Sequence, residues 1–293
     1  MPLVKKEDSF IRDYGNIVTY FDKTPPSIVC PHFWMLKWGS GCPFDCAYCY
    51  LKGTFYGDVS PKHKFPDVIS AGLDLFFRNE QTPRIVNSGE LCDSLMFPSI
   101  ISDISNQFEE QGKHKLLILT KSSDINWLLE KERKQTIYSA TINIAEVINR
   151  WEHKTASLKE RLEATKALYD VGYEVRVRID PIFPVDDWKK KYNGLLDDLF
   201  SAYVPERITL GTPRGLRKTL RFSKDLSWAQ SLIEDSSWGK KLPFDLRSEI
   251  YAHFFEEITK RSQKVKVSIC KDTVVMWTEL KQDFKKCECN CIW

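Results

Sequence analysis

The sequence predicts an α/β fold built on a parallel sheet. Two observations carry this reading. Short β-rich runs alternate with amphipathic stretches along most of the chain, and 293 residues exceed the usual single domain but match a length that α/β barrels reach as one unit. Strand, helix, strand repeated in this way means parallel pairing with right-handed crossovers, so the sheet is either doubly wound or curled into a barrel. Both arrangements put chemistry at the C-terminal ends of strands.

After an irregular opening with Pro25 and Pro26, the candidate strands in order are His32–Trp38, Arg84–Asn87, Lys115–Thr120, Thr136–Thr141, Glu174–Asp180, Arg207–Leu210 and Lys264–Cys270. Helices fit between most of them. The clearest begins after Ser157, an N-cap with Glu160 three residues on, and stops at Gly172. Its Leu158, Leu162, Leu168 and Val171 predict a core-facing stripe. In the fifth candidate strand, alternation puts Glu174, Arg176, Arg178 and Asp180 on one face and Val175, Val177 and Ile179 on the other. Interior parallel strands normally bury apolar residues on both faces, so the charged face predicts a polar lumen, with Arg178 and Asp180 meeting cofactor or substrate.

Residues 1–31 read as a lead-in, 32–270 as the repeating unit with an insertion at 212–243, and 271–293 as a cysteine-rich C-terminal segment. A charged fraction of 28% and a hydrophobic fraction of 42% exclude a largely disordered chain, and a net charge of +3 does not by itself announce a nucleic-acid binder. No apolar run reaches a membrane span and "MPLVKKEDSF" lacks the apolar core of a secretory signal; the expectation is a cytoplasmic protein. Nine cysteines, an odd number, bunch as Cys30, Cys42, Cys46, Cys49 and Cys92 and then Cys270, Cys287, Cys289 and Cys291. That pattern suits metal or redox chemistry better than a disulfide framework.

Cys42, Cys46 and Cys49 follow a CxxxCxxC spacing just past the first strand. Three thiolates are one short of a closed zinc site or a fully ligated 4Fe-4S cluster, leaving one iron open. An open iron can chelate S-adenosylmethionine and pass an electron to its sulfonium, producing a 5′-deoxyadenosyl radical. The competing reading is a zinc clip completed by Cys30 or a more distant thiol; unequal spacing and the aromatic Tyr48 before the last cysteine count against it. The motif resembles that of the radical SAM superfamily.

The order "CAYCYL", "ELCDS", "LTK" and "TIN" resembles, more narrowly, the spore photoproduct lyase family over roughly residues 30–200. The resemblance implies a partial (β/α)6 barrel, to which this chain adds a C-terminal cysteine-rich extension, and it implies a 4Fe-4S cluster, S-adenosylmethionine, a damaged-DNA partner and an electron donor such as flavodoxin or ferredoxin. It implies cluster ligands at Cys42, Cys46 and Cys49, hydrogen return by Cys92, and a radical relay through Tyr48 and Tyr50. Cofactor contacts follow at Tyr48, Gly89, Glu90, Lys121, Thr141 and Asn143. The reaction implied is carbon-carbon scission reversing a thymine photoproduct. Radical modification of an RNA base or peptide, and a non-catalytic zinc-stabilised nucleic-acid binder, stand as alternatives.

Two regions depart from that family. "PRGLRKTLRFSK" offers Arg214, Arg217, Lys218 and Arg221 among apolar residues, a mixture suited to phosphates and a stacked base. "CECNCIW", read as extended, turns Cys287, Cys289 and Cys291 to one side, and Cys270 joins them for an auxiliary iron-sulfur cluster or zinc. Cys30, in "IVCPHF", reads as a packing residue.

Overall fold

The computed structural model describes residues 12–293, so the opening of the expected lead-in, "MPLVKKEDSF" and Ile11, lies outside the described residues. Nine strands form one open sheet in which spatial order follows chain order. They are β1 (Asp13–Tyr14), β2 (Val18–Phe21), β3 (Phe33–Leu36), β4 (Ile85–Asn87), β5 (Lys115–Thr120), β6 (Thr136–Thr141), β7 (Glu174–Ile179), β8 (Arg207–Leu210) and β9 (Lys266–Ile269). All pairings from β3 to β9 are parallel. The seven candidate strands form this parallel part, with an antiparallel hairpin, β1 and β2, added at the β3 edge.

Every residue of β6 and β8 is buried, as expected of strands covered on both faces. The helices α1 (Pro66–Asn79), α2 (Pro98–Gln111), α3 (Ala145–Trp151), α4 (Leu158–Asp170), α5 (Trp188–Ala202) and α6 (Phe244–Arg261) alternate with the strands, and α7 (Val274–Glu279) follows β9. In α4 the capping box forms as predicted: Ser157 Oγ accepts from Glu160 N and Glu160 Oε2 accepts from Ser157 N at 2.7 Å. Leu162 and Leu168 face the core, but Val171 is 55% exposed, because the helix has already ended when the chain turns at Gly172.

The tail is not extended. A short 3-10 turn, Phe284–Lys286, is followed by a reversal in which Ile292 N donates to Cys289 O at 3.3 Å. This reversal drives Asn290, fully buried, into the sheet. Its side chain donates to Ser139 Oγ (2.7 Å) and Val177 O (3.0 Å) and accepts from Thr209 Oγ1 (2.8 Å). Arg176 donates to the carbonyls of Asn290 and Ile292, both at 2.8 Å, and Arg207 to that of Cys289 at 3.2 Å. The polar face of β7 thus exists as predicted, but its lower half grips the protein's own tail.

Candidate active site

The first cysteine loop follows β3 and is pinned from two sides. Asp45–Cys46 pairs antiparallel with Glu152–His153 beyond α3, Ala47 N donates to Trp151 O at 2.7 Å, and Cys42 N donates to Val59 O at 2.8 Å. The turn Leu51–Thr54 then packs on the helix Arg217–Phe222 of the insertion. Backbone N–H groups of Phe44 and Asp93 face the Cys42 sulfur, and those of Leu51 and Lys52 face Cys49. Burial pushes the Cys42 thiol up to about 12 and raises Cys46, the latter opposed by Lys121. A thiolate here is therefore one stabilised by a bound cation. Three thiols with oriented N–H donors fit an anionic iron-sulfur cluster that leaves one iron free of protein.

Beneath the loop lies an ion cluster that sequence reading missed. Glu152, wholly buried, meets Lys121 Nζ at 3.0 Å and Arg161 at 2.7 Å, and accepts a hydrogen bond from Tyr48 Oη. Burial would raise the Glu152 carboxyl, but the two cations outweigh it and hold it at about 2. The Tyr48 ring packs against Phe183 and Trp228, with centroids 5.4 and 6.4 Å away. Lys121 is thus a brace for Tyr48 and the loop through Glu152. The available signal was a lone acid in the helix-end segment "NRWEHK".

The turn after β4 carries the next group. At Gly89 a Cβ would stand 2.8 Å from the Leu119 carbonyl, so only glycine lets the turn close on β5. The backbone carbonyl of Glu90 accepts from Tyr50 Oη, and its carboxylate meets Lys271 Nζ at 3.3 Å. Cys92 is buried beside Cys42, its Sγ donating to Ser88 O at 3.4 Å, and burial keeps the thiol protonated. Asp93, to which the sequence motifs assign no role, accepts from Thr120 Oγ1 (2.7 Å) and Lys121 N (2.9 Å), tying this turn to the end of β5.

Other expected contacts are placed differently. Thr141 is buried at the end of β6 with its carbonyl taken by Arg161 at 2.8 Å. Asn143 braces the strand ends: fully buried, it donates to Pro181 O (2.8 Å) and accepts from Tyr192 Oη (2.9 Å) and Ile144 N (3.0 Å). Asp180 is held by Arg214 at 2.9 Å from both oxygens, which keeps its carboxyl below the usual range against burial. Arg214 is accordingly a partly buried structural cation, whereas Arg217, Lys218 and Arg221 are exposed on one short helix. Arg178 donates to Cys270 Sγ at 3.0 Å.

A family model for spore photoproduct lyase matches residues 20–212, which includes the cysteine loop, the Gly89–Asp93 turn and the ends of β5 to β8. The chain belongs to the spore photoproduct lyase family. Spore photoproduct lyase of Clostridium acetobutylicum is 27% identical over 165 residues, covering 54% of this chain and 48% of that one. The Bacillus subtilis enzyme is 26% identical over 196 residues, 64% and 55% of the two chains. The chain spans about half the length of the curated relatives it matches. In fold it is similar to a spore photoproduct lyase complexed with dinucleoside spore photoproduct, with a TM-score of 0.71 at 19% identity, covering 84% of this chain and 78% of that one. Streptococcus suis SuiB bound to S-adenosylmethionine follows at 0.56 and 14%, covering 84% and 51%. The family-model match ends at residue 212, so the exposed basic helix and the C-terminal cysteines fall beyond it.

Proposed function

We propose that the chain is a radical SAM enzyme that reverses a thymine photoproduct in DNA. The observation that carries this is a thiol kept neutral by burial, Cys92, beside a loop of three cysteines built to hold iron. A 4Fe-4S cluster with an open iron, loaded with S-adenosylmethionine, supplies a 5′-deoxyadenosyl radical. Cys42, Cys46 and Cys49 hold the iron. Cys92 keeps its hydrogen on Sγ, and a thiol S–H is a weak bond suited to returning a hydrogen atom to a substrate carbon. Tyr50, whose hydroxyl sits on the Glu90 carbonyl, is the phenol suited to relay the resulting thiyl radical back. Lys121 and Glu152 orient Tyr48 and the loop.

Arg217, Lys218 and Arg221 supply exposed positive charge next to the loop for DNA phosphates. The chemistry requires a one-electron donor, of which a flavodoxin or ferredoxin is one kind, and a reducing cytoplasm suits nine unpaired cysteines. No helix among the described residues is long and apolar enough to cross a membrane.

The test is to incubate reduced, reconstituted protein with S-adenosylmethionine and an oligonucleotide bearing the spore photoproduct. Formation of 5′-deoxyadenosine together with restored thymine is expected. Deoxyadenosine without repair would move the activity to another substrate, an RNA base or a peptide. A colourless protein holding only zinc would end the enzyme reading.

A further inference from the structure

The tail cysteines come together, Cys287 against Cys289 and Cys289 against Cys291, and Cys30 joins the group. One pocket beside the first site is lined by Cys30, Cys270, Cys289 and Cys291, with Arg178 and Lys271 in the same wall. Cys287 does not line the pocket; it lies behind Cys289, in thiol contact with it, with its Sγ 3.3 Å from Ser268 Oγ. Cys30, assigned by sequence to packing, is therefore the fourth thiol of this pocket. It arrives from the segment before β3, while Cys270 ends β9 and the other two ride on the anchored tail. Asn290, between Cys289 and Cys291, is locked by four side-chain and backbone hydrogen bonds to Ser139, Val177 and Thr209. The two tail cysteines are thus held as firmly as residues of a strand.

We infer that Cys30, Cys270, Cys289 and Cys291 ligate a second iron-sulfur cluster. All four thiols are free, and three of them are at most 9% exposed. Cytoplasmic thiols gathered at one pocket wall are a ligand set for a thiophilic metal. Four thiolates that reach one pocket from three separate segments suit a polynuclear cluster, where each thiolate takes a different iron. The surrounding charge agrees. Arg178 lies 3.0 Å from Cys270 Sγ with its Nε buried and without a partner, and Lys271, 3.3 Å from Glu90, lines the same wall, so a cation faces an anionic cluster on the Cys270 side. The pocket also touches Glu90, whose carbonyl holds Tyr50 of the first cysteine loop.

The ligand set is tested by iron and sulfide analysis with electron paramagnetic resonance, independently of activity or lesion. Anaerobically reconstituted wild type is expected to carry two clusters, and a Cys42→Ala, Cys46→Ala, Cys49→Ala variant one. Adding Cys30→Ala to that triple variant is expected to remove the remaining iron signal, whereas adding Cys287→Ala is expected to leave it. Circular dichroism checks that each variant is folded. Iron retained after Cys30→Ala and lost after Cys287→Ala would overturn this ligand set. A triple variant without iron, or one holding one zinc per chain, would overturn the second cluster altogether. Failure of the first cluster would show instead as wild type and triple variant with equal iron.

Discussion

Lys121 and Glu152 meet 3.0 Å apart in the interior, and through them the end of β5 supports the loop that carries the first three cysteines. Glu152 is the shared anion of two cations, Lys121 and Arg161. Glu152→Gln keeps the shape but strands both charges. Removing one partner of a buried pair costs about 3–5 kcal/mol, so the urea midpoint is expected to fall by a corresponding amount. An unchanged midpoint would show that the cluster contributes nothing to stability.

Cys92→Ala separates two steps. Deoxyadenosine formation is expected to persist while the product is diverted from restored thymine, whereas Cys42→Ala is expected to abolish deoxyadenosine. Product analysis by mass spectrometry decides this, and an identical product from Cys92→Ala removes that thiol from hydrogen return.

The basic helix makes a prediction about salt. Replacing Arg217, Lys218 and Arg221 by Gln is expected to weaken DNA binding and to reduce the slope of log affinity against log salt by about 0.9 for each phosphate no longer neutralised. Arg214→Gln is expected to leave that slope intact. Because it uncovers buried Asp180, it should destabilise the fold by about 3 kcal/mol. A slope that falls with Arg214→Gln alone would reverse the assignment.

His114 sets a pH dependence. It is fully buried between Phe76 and Phe77, with ring centroids at 4.6 and 5.8 Å, and its Nδ1 accepts from Arg84 N at 3.2 Å. Burial lowers its pKa from 6.5 to about 4. The unfolded chain therefore takes up a proton that the native chain refuses in this window. The stabilisation is complete above pH 6.5 and is lost as pH falls towards 4. In His114→Asn the drop in urea midpoint from pH 7 to pH 5 is expected to be smaller than in wild type; an equal drop would place the proton uptake elsewhere.

The parallel strands were legible because each is a short β-rich run bounded by helix signals, and all seven candidates coincide with strands. The β1–β2 hairpin escaped because its strands are short, although Gly15 and Asn16, both at positive φ, mark its turn. The charged face of β7 was read correctly as interior. Its occupant was not, because the tail that Arg176 grips lies 114 residues further along the chain. For the same reason Cys30 looked like a packing residue: its companions are some 240 or more positions away, and nothing local announces them. Glu152 was hidden by its context, since a single acid after a helix reads as solvated until Lys121 and Arg161 are seen around it.

The buried amide of Asn290 also has a kinetic meaning. Its bonds join residues 81, 113 and 151 positions apart in sequence, and they need β6, β7 and β8 to be paired first. Contacts of such separation carry a large loop-closure penalty and form late. Substitutions at Asn290 should therefore accelerate unfolding while leaving the refolding rate nearly unchanged. The tail is thus expected to act as a latch that closes after the sheet has formed and slows unfolding.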